Sequence, residues 1–310
     1  MKWQDKKVLV TGSAGGIGRM LVGRLISLGA EVLSVDIASG NELGHQVDHI
    51  QVDLSREIPA QVCTFNPEVV FHLAATFERT EEAPGYWKTS FENNVLLSHR
   101  LLEALSLMPS LKVFVFASSY LVYDPEQYLN VPQVCYLRES DRIAPRNLVG
   151  LAKYFTEREL NFIQHTEGRF RTVSARIFRV YGCGSRDVIS RWIRSALQEE
   201  PIEVYGRNNR FDYIYADDVA EGLLRLAESS GACGVINLGF GVPRSIDDVV
   251  AILQSELGSL QVKDLPYDGP VEASCADMAL FKNLTGWLPS ISLEDGIHRI
   301  ILYEKKRIGR

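Results

Sequence analysis

The chain has 310 residues, 46% of them apolar and 23% charged, with a net charge of −6. That length holds one large α/β unit or two small domains, and the composition is that of an ordinary globular protein able to bury a core. The acidic balance leaves no basic footprint for nucleic acid, and no apolar run reaches the roughly 20 residues that span a bilayer. The first strand begins too close to Met1 for a signal peptide. Cys63, Cys135, Cys183, Cys233 and Cys275 are scattered, odd in number and without CxxC spacing. They read as reduced thiols, and the expected location is cytoplasmic.

In chain order, apolar runs predict strands at 7–11, 31–36, 49–53, 68–73, 111–117 and 171–177. Helical spacing falls between them near 17–28, 86–107 and 148–165. Strands apolar on both faces, alternating with helices, predict a parallel sheet wrapped by helices. After Tyr181-Gly-Cys-Gly184 the rhythm changes: a helix near 187–199, a short strand at 202–205, an arginine- and asparagine-rich loop, a strand at 235–238, then helices at 246–257 and 292–305. The expected organisation is a Rossmann-type doubly wound domain over 1–180, with 211–240 returning to it. A smaller interleaved cap is expected over 181–210 and 241–310, with the ligand cleft between them at the strand ends.

The most informative stretch is Lys7-Val-Leu-Val-Thr-Gly-Ser-Ala-Gly-Gly-Ile-Gly18. A buried strand breaks at Gly12, and Gly15 and Gly18 lead into a helix. Such glycines let the backbone pass close to a diphosphate, whose charge the free N–H groups at the helix start then hold. A mere tight turn is the bland alternative. The second strand ends in Asp36, 18 residues after Gly18, near the spacing expected of the acid that binds an adenosine ribose 2′-hydroxyl. A carboxylate there repels a 2′-phosphate, so the expected cofactor is NAD rather than NADP.

With Thr11–Gly18 come Val52-Asp-Leu54, His72-Leu-Ala-Ala75, Asn94-Val95, Ser118-Ser-Tyr-Leu-Val-Tyr123 and Lys153. Arg176-Ile-Phe-Arg-Val-Tyr-Gly182, Asp217-Asp-Val-Ala220, Asn237-Leu-Gly239 and Gly286-Trp-Leu-Pro289 follow. In order and spacing the chain resembles the extended short-chain dehydrogenase/reductase family, the NAD-dependent epimerases, dehydratases and decarboxylases of nucleotide sugars. The resemblance covers nearly the whole chain. It implies an NAD kept through the catalytic cycle, with hydride leaving a sugar carbon and often returning.

Carried over residue by residue, the resemblance implies that Gly12, Gly15, Gly16, Ile17 and Gly18 hold the pyrophosphate, with Asp36 and Ile37 at the ribose. Asp53 would meet the adenine amino group and Leu54 its ring. Leu73, Ala74 and Ala75 would run along the cofactor with Asn94 behind them, and Ala117, Ser118 and Phe178 would complete its site. Lys153 would bond the nicotinamide ribose, and Ser119 the sugar hydroxyl being oxidised. Thr76, Phe77, Arg179, Val204, Tyr205, Arg210, Phe211 and Tyr267 would line the substrate site. Each has a bland reading: Asp53 as a strand-end cap, Asn94 tying a neighbouring loop, Lys153 as a solvated lysine. His72 reads as a satisfied core histidine.

The chain also departs from the family. The proton-transfer tyrosine belongs four residues before the lysine, and here that position is Val149; Tyr154 points about 100° away around the helix. Ser119, Tyr120 or an ordered water is expected to replace the phenol. Phe211 and Tyr267 stand where relatives carry diphosphate-binding arginines, and Arg179 stands at a frequent asparagine. Arg179, Arg207 and Arg210 either re-form the clamp or are surface charges. Tyr120-Leu121 replaces the Asp-Glu pair of ordinary 4,6-dehydratases. The expected function is a nucleotide-sugar epimerase or atypical dehydratase. The alternatives are a non-catalytic NAD-binding protein and a reductase or isomerase of a small non-nucleotide carbonyl compound. The resemblance also implies a homodimer through 86–107 and 148–164, where Val95, Leu96, Leu101, Leu102, Leu105 and Leu107 exceed the needs of one helix face. Packing on the chain's own sheet is the other reading.

Overall fold

Val8, Leu9 and Val10 are fully buried, which suits an interior strand of a sheet covered on both faces. The computed structural model describes residues 2–40, 47–77, 84–166 and 168–309. Within them the order is β1 (Lys7–Thr11), α1 (Gly16–Ser27), β2 (Glu31–Asp36), β3 (Asp48–Gln51), α2 (Ala60–Phe65), β4 (Val69–His72), α3 (Pro84–Ser90), α4 (Leu97–Leu105) and β5 (Val113–Ser119). Next come β6 (Cys135–Leu137), α5 (Leu148–Thr166), β7 (Arg171–Ile177), β8 (Arg179–Tyr181), α6 (Val188–Leu197), β9 (Ile202–Val204) and β10 (Arg210–Tyr215). The chain closes with α7 (Ala216–Glu228), β11 (Gly234–Leu238), β12 (Pro243–Ser245), α8 (Ile246–Leu257), β13 (Val262–Asp264), β14 (Ser274–Ala276), α9 (Ala279–Thr285) and α10 (Leu293–Arg307).

Seven strands form one parallel sheet in the order β3-β2-β1-β4-β5-β7-β11. The chain direction across the sheet reverses between β1 and β4, which opens a crevice at their carboxyl ends. Pleating sends alternate residues to opposite faces. Val8 and Val10 join Leu21 and Leu25 of α1 and Leu223 of α7. Leu9 and Val35 join Leu101, Leu102 and Leu105 of α4 and Leu160 of α5. The surplus leucines of the expected 86–107 helix therefore include three that cover the chain's own sheet. That helix is also not uniform: a π-helical turn, Phe91–Leu96, separates α3 from α4.

A second core gathers Ile189, Trp192 and Ile193 of α6, Val249 and Leu253 of α8, and Ile297 and Ile300 of α10. Of the segment 211–240, α7 and β11 pack on the large sheet. β10 instead pairs with β8 and β12 and contributes Phe211, Tyr213 and Tyr215 to the second core. Besides β10, which has six residues and was not picked out, the strands missed in the sequence, β6, β8, β12, β13 and β14, have three residues each, too short for a periodic signal. The cysteines are free thiols. Among the described residues no helix is long and apolar enough to cross a membrane.

Candidate functional site

A cavity of about 930 Å³ occupies the crevice between β1 and β4. Its glycines do different work. Gly12 has φ +70°, and a Cβ there would lie 2.6 Å from the Ala74 nitrogen; at Gly18 it would lie 2.2 Å from the Gly12 carbonyl oxygen. These two let the loop pack on itself. At Gly16 the nearest atom to an added Cβ is 3.9 Å away, so no protein contact demands glycine there. The room is on the cavity side, where a backbone must approach something closely. Gly15 is the N-cap of α1, with no side-chain cap and no acid in the first turn. The amide hydrogens of that turn favour an anion.

Asp36 ends β2 at the rim, its carboxylate accepting from the Ala14 and Ala38 amides at 2.9 Å. A carboxylate has about four acceptor positions, so capacity is left for a hydroxyl pair. Asp53 lines the same cavity while capping its own turn through the Ser55 amide and hydroxyl. Ile37, Leu54, Leu73, Ala74, Ala75, Thr76 and Phe77 complete the part anticipated from sequence. Asn94, buried in the π-helical turn, donates to the Thr76 carbonyl and accepts from its amide, so it shapes the 73–77 loop from behind. Ile17, Gly18, Ala117, Ser118, Lys153 and Phe178 are not among the residues lining this cavity.

Arg19, Gly184, Ser185 and Arg186 also line it and escaped the sequence reading. They come together because Gly184, at φ +67°, sits against the Arg19 guanidinium. The nearest signal was the glycine pair of Tyr181-Gly-Cys-Gly184, which marked a turn but not its neighbour in space. His72 behaves as a core residue. Its ring bonds the Thr11 and Ser98 hydroxyls, and burial, aided by the Lys153 charge, pushes its pKa down to about 3.

The expected catalytic turn follows β5. Ser119 caps it, its hydroxyl accepting from the Leu121 amide at 3.2 Å. Ser118 faces the other way and donates to Glu157, which forms a buried pair with Arg176 at 2.8 Å. Lys153 is buried on α5 with its ammonium 4.6 Å over the Phe116 ring. Burial pulls its pKa down to about 8, against the opposing charge of Glu157. Val149, one turn earlier, is buried and apolar. A Cβ at Gly150 would meet the Leu121 carbonyl oxygen at 2.4 Å, so α5 begins pressed onto the turn that follows β5.

The Tyr120 phenol accepts from Arg146 at 3.2 Å and Arg179 at 3.4 Å, and its ring stacks on Phe178 with centroids 5.1 Å apart. Burial raises its pKa, though both guanidinium groups oppose the shift. Arg146 also pairs with the buried Glu272 at 2.9 Å. Burial alone would raise Glu272, but the Arg146 and Arg179 charges hold it below the usual carboxylate range. Arg179 lies 3.6 Å over the Phe211 ring. Neither Arg146 nor Glu272 was foreseen, since neither belongs to a recognisable local pattern.

Val204, Tyr205 and Tyr267 meet elsewhere, lining a second cavity of about 300 Å³ with Gly206 and Leu265. Of the arginines flanking Phe211, Arg207 is engaged by Asp264 and Asp247 at 2.6 Å each. Arg210 is exposed at the start of β10. The anticipated substrate residues thus fall into three groups: Thr76 and Phe77 on the large cavity, Ser119, Arg179 and Phe211 around the turn, and the aromatic pair.

Comparison with known proteins then places the chain. A family model described as the NAD dependent epimerase/dehydratase family matches residues 8–239. The putative UDP-glucose 4-epimerase of Methanocaldococcus jannaschii is 28% identical over 312 residues, covering 96% of this chain and 98% of that protein. The structure of MoeE5 in complex with UDP-glucose and NAD superposes with a TM-score of 0.86 at 29% identity, covering 97% of this chain and 99% of MoeE5. The UDP-glucose 4-epimerase of Thermotoga maritima with UDP-glucose gives 0.81 at 27% identity, with 97% and 99% covered.

Proposed function

Because the chain belongs to the NAD dependent epimerase/dehydratase family, we propose that it modifies a nucleotide sugar, oxidising one sugar carbon with tightly held NAD as an epimerase or atypical dehydratase. The observation that carries the substrate class is the Arg179 guanidinium seated 3.6 Å over Phe211. Phe211 stands where relatives are expected to present a diphosphate-binding arginine. Here the cation comes from the neighbouring strand to the same place, and the aromatic ring supports it. The same contact weighs against a small uncharged carbonyl substrate, for which a bare aromatic wall would suffice.

NAD fits the large cavity. Gly15, Gly16 and the first turn of α1 would receive the pyrophosphate, Asp36 the adenosine ribose, and Asp53 and Leu54 the adenine. The bound cofactor supplies a hydride acceptor that can return the hydride to the sugar. The chain supplies the rest: Ser119 hydrogen-bonds the reacting hydroxyl, Arg179 holds the diphosphate, and Val204, Tyr205 and Tyr267 enclose the base. In this reading 181–210 and 241–310 form the cap, joined by β10 in the second core, and the cap would face the nucleotide-binding domain across the cleft.

We also propose a homodimer. Trp87, Phe91, Leu151, Phe155 and Phe162 are all more than half exposed, on α3, the π-helical turn and α5. Leu151, Phe155 and Phe162 recur at helical spacing along one side of α5, a larger apolar stripe than a lone surface helix carries. The free thiols fit a cytoplasmic location.

Calorimetry with UDP and NAD tests the reading. Arg179→Met is expected to weaken UDP about 10- to 100-fold, the loss of one charge-assisted contact, and to leave NAD unchanged. Equal UDP binding by both proteins, or no UDP binding by the wild type, overturns the nucleotide-sugar assignment.

A further inference from the structure

Val149 removes the phenol that would take the hydroxyl proton, and the groups around the catalytic turn can be examined in turn for a replacement. Tyr120 accepts hydrogen bonds from two guanidinium groups, which hold its oxygen among cations and away from the role of a free base. Both His72 nitrogens are engaged by hydroxyls. Both Glu157 oxygens are engaged by Arg176, and one also by Ser118. Tyr154 packs its ring against the first hydrophobic core. Ser119 is an alcohol that already accepts from Leu121.

Lys153 is different. Its amine stands on α5 one turn past Val149, over Phe116, and the strand that carries Phe116 continues to Ser119. With valine at 149, the position one turn before that amine offers no proton carrier of its own. On these grounds we propose that Lys153 is itself the general base, resting on the nucleotide-sugar reading above. The sugar O–H bond would break with its proton passing to Nζ and its electron pair forming the carbonyl, while the hydride of the same carbon would be taken up by the oxidised nicotinamide that NAD supplies when bound. In the reverse step the ammonium returns the proton as the hydride comes back. The electrostatics agree. The groups acting on the amine are His72 from β4, kept neutral, and Glu157 on α5, whose charge Arg176 of β7 largely meets. A neutral amine is then available near physiological pH, as a base requires.

Two measurements decide the assignment. With ¹³C-labelled lysine, the Lys153 signal, identified by its loss in Lys153→Arg, is expected to titrate near pH 8 in the protein without substrate; a midpoint near the ordinary 10.4 overturns the proposal. In turnover of UDP-glucose or another UDP-sugar the wild type accepts, Lys153→Arg keeps the charge but is expected to lose 100-fold or more. Lys153→Ala is expected to recover at least tenfold with added primary amines, more with stronger bases. A Lys153→Arg enzyme retaining over a tenth of the rate, or no amine rescue in a Lys153→Ala protein that still binds NAD, sinks it. If the wild type turns over no nucleotide sugar, the functional reading fails, and the titration still judges the lysine.

Discussion

The proposed nucleotide half and the proposed sugar half of the cleft are built on different principles. The first is made mostly from short stretches at consecutive strand ends: residues 12–16 after β1, 36–39 after β2, 52–54 after β3 and 73–77 after β4. The second is assembled from single residues far apart in the chain. Arg146 precedes α5, Arg179 opens β8, Phe211 lies on β10, and Glu272 precedes β14. A parallel sheet delivers every strand end to one edge, so a local motif there is already a site. The sugar half exists only once β10 has paired with β8 and the 270s strand has crossed to β6.

The largest expected effect breaks the nucleotide half without touching the fold. Gly16→Val adds a side chain where no protein atom objects but where the pyrophosphate of the proposed NAD site would lie close to the backbone. NAD affinity by calorimetry should fall about 100-fold or more, with the melting temperature nearly unchanged. Gly18→Ala, which would drive a methyl group into the Gly12 carbonyl, should instead lower the melting temperature. If Gly16→Val binds NAD normally, the cradle has been misplaced.

Next is the framework behind the sugar half. Arg176→Met would strand the Glu157 carboxylate, which is almost fully buried. Removing one partner of such a pair costs about 3–5 kcal/mol, readable as a lower midpoint in chemical denaturation. Ser118 and Lys153 flank that carboxylate through β5 and α5, so this variant should also disturb turnover. Unchanged stability would show the pair to be less enclosed than its geometry indicates.

A smaller effect is the pH profile. The Lys153 pKa lies near 8, below its ordinary value, so the amine is mostly protonated at pH 7 and mostly neutral at pH 9. A base acts in its deprotonated form. The rate at limiting substrate should therefore climb about tenfold between those values and level off above. A profile that falls with rising pH in this window would mean that the ammonium is the active form.

How much of this was legible in the sequence follows the same division. The parallel sheet and most of the large cavity's lining could be read because buried runs and glycine spacings are local signals. Asp36 was picked out by its distance along the chain and Asp53 by the family resemblance, and both line the large cavity. Asn94 was placed behind the loop, and it does clamp Thr76. Arg146 and Glu272 left no trace, since an arginine before a helix and a glutamate in a loop are ordinary features. Nor could the spacing tell which of three arginines would stand beside Phe211. The helix surface was misjudged for a related reason: Leu101, Leu102 and Leu105 cover the sheet, while the exposed apolar face lies on Phe91, Phe155 and Phe162.

The smallest expected effect separates the arginine that matters from the one that merely lies nearby in sequence. Arg207 is four residues from Phe211, yet its guanidinium is engaged by Asp264 and Asp247, both well exposed. Exposed ion pairs of this kind contribute little, because water and salt screen them. Arg207→Ala should change UDP affinity by no more than about twofold, in contrast to Arg179→Met at the same cleft. A loss as large as that of Arg179→Met would mean that Arg207 leaves its two aspartates to meet the diphosphate. The clamp would then belong to the 206–210 loop, and Arg179 would be left to hold the aromatic wall of the sugar half.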